Sequence, residues 1–378
     1  MDIPGKWNGI NIAYMTPIDA GGGVTVDVPD SWMEPYGGYT KVNDIGANGL
    51  TYWQSYVLGL DPTDETAKVV LVTPQDGDPD KIELELNIKV PPDAGVTPTY
   101  ALLKDGVKVA DDLVIDLSGT GDPTGLYTVL VKIGTSEIPI EQTVGVLKGE
   151  STMTKTAISV PWGRLNGGGP VSVAELVKTA NLTVGDKLHV YDRDGLKYRT
   201  WQLDGAHHWQ PLATYVIAED GSVSSESAGA PSDTTVKRGS AVLLERQDPT
   251  KPYYLFGGAD GSDVTADIAC GSKDSPVWNL IASPSLEPFD VKTVEGADAN
   301  DQVVVPTAEG PKVYTFKDGA WGADVNVTET RTMPDGTKVE VVKRGRDTVN
   351  TTIPAGVGFW YVSQGGKPRI EWKIENGN

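Results

Sequence analysis

Apolar and polar residues alternate with a period of two over many short stretches of this chain. In "KIELELNI", Ile82, Leu84, Leu86 and Ile88 fall on one face and Glu83, Glu85 and Asn87 on the other. That is the pattern of a strand with one wet side. "AKVVLVT", "TYALLKDGVKV" and "GLYTVLVKIG" repeat it, with a hairpin turn at residues 104–106. These strands predict an immunoglobulin-like sandwich over residues 66–148. Upstream, "VTVDV" puts Val24, Val26 and Val28 on one face, behind three glycines at positions 21 to 23. A lone strand is not stable in water, so the segment 1–30 must pair with a sheet edge. That edge belongs either to the same chain, first of all the 66–148 sandwich, or to the next copy. The second option makes Val24, Val26 and Val28 an assembly strand and gives head-to-tail growth.

Two stretches carry the helical period instead. In the segment 31–65, "LTYWQSYVLG" places Trp53, Tyr56 and Val57 at i, i+3 and i+4, with Thr51 as N-cap and Gly59 as stop. "SVAELVKTANL" places Val173, Leu176, Val177 and Ala180 on one stripe, with Ser172 as N-cap.

The second half of the chain repeats one order of motifs. "ISVP" at 158–161 answers "IASP" at 281–284. "GDKLHVYDRDGLKYRTW" answers "NDQVVVPTAEGPKVYTF" without a gap, so Asp186 matches Asp301, Gly195 matches Gly310, Lys197 matches Lys312 and Trp201 matches Phe316. "DGAHHW" then answers "DGAW", and Gly239 and Pro252 answer Gly356 and Pro368. Agreement in one order over such a length is an internal duplication. The modules are expected at 150–262 and 270–376. The fold class that follows is all-β and multi-domain: a sandwich, then two duplicated small β-barrel or sandwich modules, with few short helices.

Composition adds turns and a charge. The 44 Gly and 26 Pro of the 378 residues punctuate many short elements. A net charge of −20 argues against nucleic acid and anionic membrane surfaces, both of which need cations on the protein. A single cysteine, Cys270, excludes an internal disulfide and a cysteine zinc site. The opening "MDIPGKWNGINIAYM" has no basic start and no long apolar run, so neither a signal peptide nor a membrane-spanning helix is expected in this chain.

Candidate chemistry is sparse. G-x-S-x-G, the P-loop, H-E-x-x-H and C-x-x-C are all missing. His207 and His208 point to opposite faces if extended, and their absence from the twin turn favours plain turn residues. Asp192 and Asp194 are a carboxylate pair in a turn, where solvation is the simpler role. Asp44, Asn48 and Gly49 have the spacing of a calcium loop, but Gly46 and Ser55 stand where ligands belong. Asp44 and Asn48 are therefore either calcium ligands or parts of an Asx-type turn capping the helix. No other cofactor is implied. Trp201, Trp209, Trp321 and Trp360 fall in the duplicated modules. Exposed, they would stack on sugar rings; buried, they would fill small cores.

The segment with "WMEPYGG" and "NGLTYWQSYVLGLDP" resembles a short stretch near the C-terminal ends of large secreted, autotransporter-like bacterial surface proteins. The "VWNLIASP", "DQVVV", "DGAW" and "IPAGVGFWY" run resembles the β-module repeat of the same largely uncharacterised proteins. The resemblance covers residues 31–62 and about 150–374. It implies an extracellular or cell-surface location and no catalytic residue. The expectation is thus a non-catalytic structural or adhesive protein, a fibre subunit growing by strand addition, with further copies of itself or a surface polysaccharide as partner. The alternative is a set of carbohydrate-binding modules from a polysaccharide-degrading system.

Overall fold

Most of the alternating stretches become strand. The computed structural model describes residues 14–72, 78, 80–117, 121–165, 169–178, 181–192, 197–217, 223–259, 262–333, 337–365 and 367–372. The chain is all-β with several sheets and three short α-helices, and no sheet closes into a barrel among the described residues. It divides into two compact units, Met1–Ile115 with Tyr127–Thr143, and Asp116–Leu126 with Val144–Asn378.

In the first unit, β1 (Met15–Gly21) and β2 (Val24–Pro29) form an antiparallel hairpin. The "VTVDV" strand thus finds its ladder partner next door in its own chain, and the 66–148 region adds single backbone bonds to the hairpin, Asp27 N–H to Ala94 O at 3.2 Å and Thr135 N–H to Ala20 O at 3.0 Å. Val26 and Val28 are fully buried and Val24 half-buried. Helix α1 (Tyr52–Leu58) starts in a capping box, Thr51 with Gln54, and stops at Gly59 in the left-handed region, φ 68°. Strands β3 (Thr99–Lys104) and β4 (Val107–Ala110) turn through Asp105 and Gly106, both at positive φ, as a two-residue hairpin requires. Strand β5 (Gly125–Ile133) pairs with β3 and with β6 (Ser136–Pro139), and its burial alternates along its whole length. In "KIELELNI" the expected faces hold, with Ile82 and Leu84 buried, but the strand is broken into Lys81–Glu83 and Glu85–Leu86.

The second unit holds the duplication. Strand β7 (Thr143–Gly149) leads in. Module one is an open sheet of β8 (Lys155–Ser159), β9 (Lys187–Asp192), β10 (Lys197–Leu203), β11 (Trp209–Pro211) and β12 (Ala241–Glu245), in the order β8-β12-β9-β10-β11. Strand β13 (Tyr253–Ala259) pairs with β7 and with Val177–Lys178 as a second layer. The core lies between, with Ile158, Leu188, Trp201, Val242 and Leu244 facing Leu147, Val177, Tyr253 and Leu255. Module two repeats the order: β14 (Val277–Ala282), β15 (Gln302–Val305), β16 (Lys312–Lys317), β17 (Ala320–Thr332), β18 (Lys338–Asp347) and β19 (Gly358–Ser363) run β14-β19-β15-β16-β17-β18. Its core gathers Phe289, Val303, Tyr314, Trp321, Phe359 and Tyr361.

Two expectations are corrected. The helix over "SVAELVKTANL" is one turn, Val173–Leu176, because Val177 leaves it to pair with Leu255; Ser172 bonds Glu175 Oε2 at 2.7 Å and caps no backbone group. The gapless match of the first hairpins also slips. Leu203 N–H donates to Asp186 O at 2.8 Å and Phe316 N–H to Asp301 O at 2.9 Å. Phe316 is therefore the counterpart of Leu203, and Tyr314 that of Trp201. The β9–β10 hairpin spans two more residues between these matched positions, 17 from Asp186 to Leu203 against 15 from Asp301 to Phe316, which preserves the faces because the side-chain period is two. Gly195 lies outside the described residues.

Candidate functional site

The outer faces of the two module sheets meet along a seam of small residues. Ala157 and Ala241 of module one touch Leu280 and Ala282 of module two, with Tyr191, Leu243 and Trp360 packed against them. The approach leaves no room for larger groups: a Cβ on Gly358 would lie 2.6 Å from that of Ala241 and 3.0 Å from that of Ala157. Backbone bonds cross the seam twice, Ser159 N to Gly356 O and Ala282 N to Gly239 O.

Aromatic rings line one flank of the seam. Trp278 lies edge-to-face with Trp360 at 5.9 Å, Trp360 with Tyr191 at 5.7 Å, and Tyr191 is tilted against Tyr198 at 5.3 Å. Strand alternation sets this out. Asn279 and Ile281 face the core, so Trp278 and Leu280 face outward; Phe359 and Tyr361 are core, so Trp360 is outward. Trp278 keeps 46% of its surface exposed. Beside it opens a cleft of about 330 Å³ lined by Tyr191, Lys237, Arg238, Thr265, Asp267 and Trp278, among others. Arg238 is tied down, with Nε donating to Pro161 O and an η-nitrogen to Ser262 Oγ, each at 3.2 Å.

On the outer face of module one the chemistry is ionic. Glu245 accepts from Lys155 at 2.9 Å, Lys187 at 3.2 Å and His189 Nε2 at 3.2 Å. Its bond to Lys155, aided by Lys187, holds the Glu245 carboxyl at about 2. Burial pushes the His189 imidazole below its usual range, with the Lys155 charge adding to the effect. Strand pairing equates Lys155 with Trp278, Leu243 with Trp360 and Glu245 with Val362. The same frame thus carries a charged cluster in one module and an aromatic ridge in the other.

Of the tryptophans expected to offer sugar platforms, Trp201, Trp209 and Trp321 are core, exposed 4% or less. Sugar stacking through them is excluded by burial. Trp201 Nε1 donates to Gly229 O at 2.9 Å; the indole N–H groups of Trp209 and Trp321, counterparts in the two modules, are both buried without a partner. Trp360 alone is half-exposed, and it joins Trp278, which motif reading passed over. The signal was present: Trp278 is out of phase with Ile281 by an odd number of residues.

Asn48 is buried and occupied. Its side chain donates to Ser55 Oγ at 3.1 Å and Asp61 O at 3.3 Å and accepts from Leu50 N–H at 3.0 Å. Asp44 is exposed, and no group of three or more His, Cys, Asp or Glu that could hold a metal occurs among the described residues. Asn48 serves as a turn and helix-start brace. Asp192 is paired with Arg199 at 2.9 Å, while Asp194 lies outside the described residues. His207 sits in the left-handed region, φ 60°, in its turn.

No family model, no curated protein and no solved structure matches this chain.

Proposed function

We propose that the chain is a non-catalytic structural or adhesive protein of the cell surface or extracellular space, a subunit that joins further copies by strand addition. One observation carries the reading. Strands β17 and β18 make ten cross-strand pairs, from Ala323 with Asp347 to Thr332 with Lys338, a ribbon about 30 Å long. Its outer part is exposed on both faces: Val339, Val342 and Met333 are exposed together with Thr328, Thr330, Arg331, Lys343 and Arg344. A two-stranded ribbon in water is marginal by itself. Its root is pinned, because the Arg346 guanidinium donates to the carbonyls of Lys317, Ala320 and Thr315. Strand β18 also ends its sheet, so its outer backbone groups are a template for another strand.

The charge supports a heterologous contact. Strand β18 has four cations and two anions, in a chain of −20 whose first 150 residues hold more than half of the excess negative charge. Its lysines discourage indiscriminate edge pairing and favour an acidic partner. We assign that partner to the first unit of the next copy, giving head-to-tail growth. The assembling element is then the β17–β18 arm and not the "VTVDV" strand, whose Val26 and Val28 are buried in its own unit. The resemblance to secreted bacterial surface proteins, and an immunoglobulin-like reading of residues 66–148, support the same role.

Sedimentation velocity on the full chain tests this. Concentration-dependent species larger than monomer are expected, weakening as salt rises. Replacing residues 327–343 by a short turn should leave a folded monomer. A full chain that stays monomeric at high concentration would rule the reading out.

A further inference from the structure

The cleft beside Trp278 is the place where the two modules differ most in chemistry while sharing a frame. At the position of Lys155 in module one, module two carries the largest apolar side chain, half of it in water. The core does not require it there, since Asn279 and Ile281 point inward. An indole held by an edge-to-face neighbour is rigid as well as exposed, which lowers the entropic cost of stacking a flat apolar ligand face on it. Trp360 supplies that neighbour.

The rest of the cleft is polar. Lys237, Thr265 and Asp267 are exposed on its walls, and they offer an ammonium donor, a hydroxyl and a carboxylate acceptor. A ligand suited to this set has one apolar face and a rim of groups that both donate and accept. A sugar ring is such an object: its axial C–H groups stack on the indole and its hydroxyls meet charged partners through charge-assisted bonds. The cleft, at about 330 Å³, lies at the small end of the range of ligand sites. Because the chain carries −20, an anionic polymer is repelled on approach and a neutral one is not.

We infer that the Trp278 cleft binds a hexose unit of a neutral polysaccharide, with Trp278 as the stacking platform and Lys237 and Asp267 as hydroxyl partners. The inference rests on the adhesive side of the proposed function and is independent of the arm. It is tested by native electrophoresis of the full chain through gels cast with neutral polysaccharides (galactomannan, mixed-linkage β-glucan, xylan, starch) and with alginate, paired with titration of tryptophan fluorescence. At least one neutral polymer should retard the chain, and Trp278→Ala should raise the apparent Kd at least tenfold with an unchanged thermal midpoint. Lys237→Ala should raise it about threefold to tenfold. The arm-shortened chain should be retarded as the full chain is, which separates this claim from assembly. Retardation by none of the neutral polymers, by alginate alone, or equally for Trp278→Ala, would overturn the assignment.

Discussion

The N–H of Ser159 donates to the carbonyl of Gly356 at 2.9 Å, and the counterpart pair, Ala282 and Gly239, makes the same bond at 3.0 Å in the opposite direction across the seam. The bridges Ile158 with Val357 and Ile281 with Ser240 repeat this reciprocity. Residue i of one module meets residue j of the other, and j meets i. That is the signature of an isologous contact, here built within one chain by two copies of a module. Two consequences follow: the seam tolerates only small side chains where Ala157, Ala241 and Gly358 meet, and the outer faces beside it are free to diverge.

The seam should therefore be sensitive to bulk. Ala241→Leu and Gly358→Ala each insert atoms where Ala157, Ala241 and Gly358 already touch. A loss of about 1–3 kcal/mol is expected for each, read by urea denaturation. Equal stability for both variants would show that the seam opens freely.

Buried aspartates hold the start of the β9 and β15 strands. Asp186 accepts from Gln247 N–H at 2.6 Å and Thr183 N–H at 2.9 Å; Asp301 accepts from Gln364 N–H at 2.6 Å and Asp298 N–H at 3.1 Å. Asp301 also receives the Tyr361 hydroxyl at 2.8 Å, and burial followed by this bond raises the Tyr361 phenol well above its ordinary range. Asp301→Ala should cost about 3–5 kcal/mol, and Asp186→Ala about 1–2 kcal/mol less because Leu244 stands in place of Tyr361. The same denaturation experiment ranks them, and the reverse order would refute this account of the latch.

Glu245 gives the pH dependence a sign. Its folded value of about 2 lies below its ordinary 4.5. Its contribution is complete above about pH 5 and is lost as pH falls from there toward 2. The thermal midpoint of the native chain should drop over that window, and Glu245→Gln should flatten the drop while costing about 1 kcal/mol at neutral pH. Identical pH profiles would contradict the network.

The Asn48 loop should behave as a brace and not as a cation site. Asn48→Ala should cost about 1–2 kcal/mol, since the Leu50 N–H and the Asp61 carbonyl lose their bonds to it while Ser55 keeps only Thr51 O. Chelator or added calcium should leave the native thermal midpoint unmoved; a calcium-dependent rise would overturn this.

Much of the fold was legible because it depends on local periods. Thr51 and Gly59 bounded α1, Asp105 and Gly106 turned a hairpin, and Phe359, Trp360 and Tyr361 sorted themselves by alternation. What failed depends on distant partners. Val177 looks helical until Leu255 draws it into a sheet, and the two extra residues of the β9–β10 hairpin are invisible to a gapless match. The candidate site was half-legible. Trp201, Trp209 and Trp321 have the residue type of a platform, but only the packed core reveals that they fill it. Trp278 gained meaning only when strand register showed it in the place that Lys155 holds in module one.

The most direct test of the account is negative-stain microscopy of the full chain at high concentration and low salt, beside the chain with residues 327–343 replaced by a short turn. The account predicts filaments or strings of regularly spaced particles for the first and separate particles of the same size for the second. Separate particles in both, or filaments that survive loss of the arm, would contradict it.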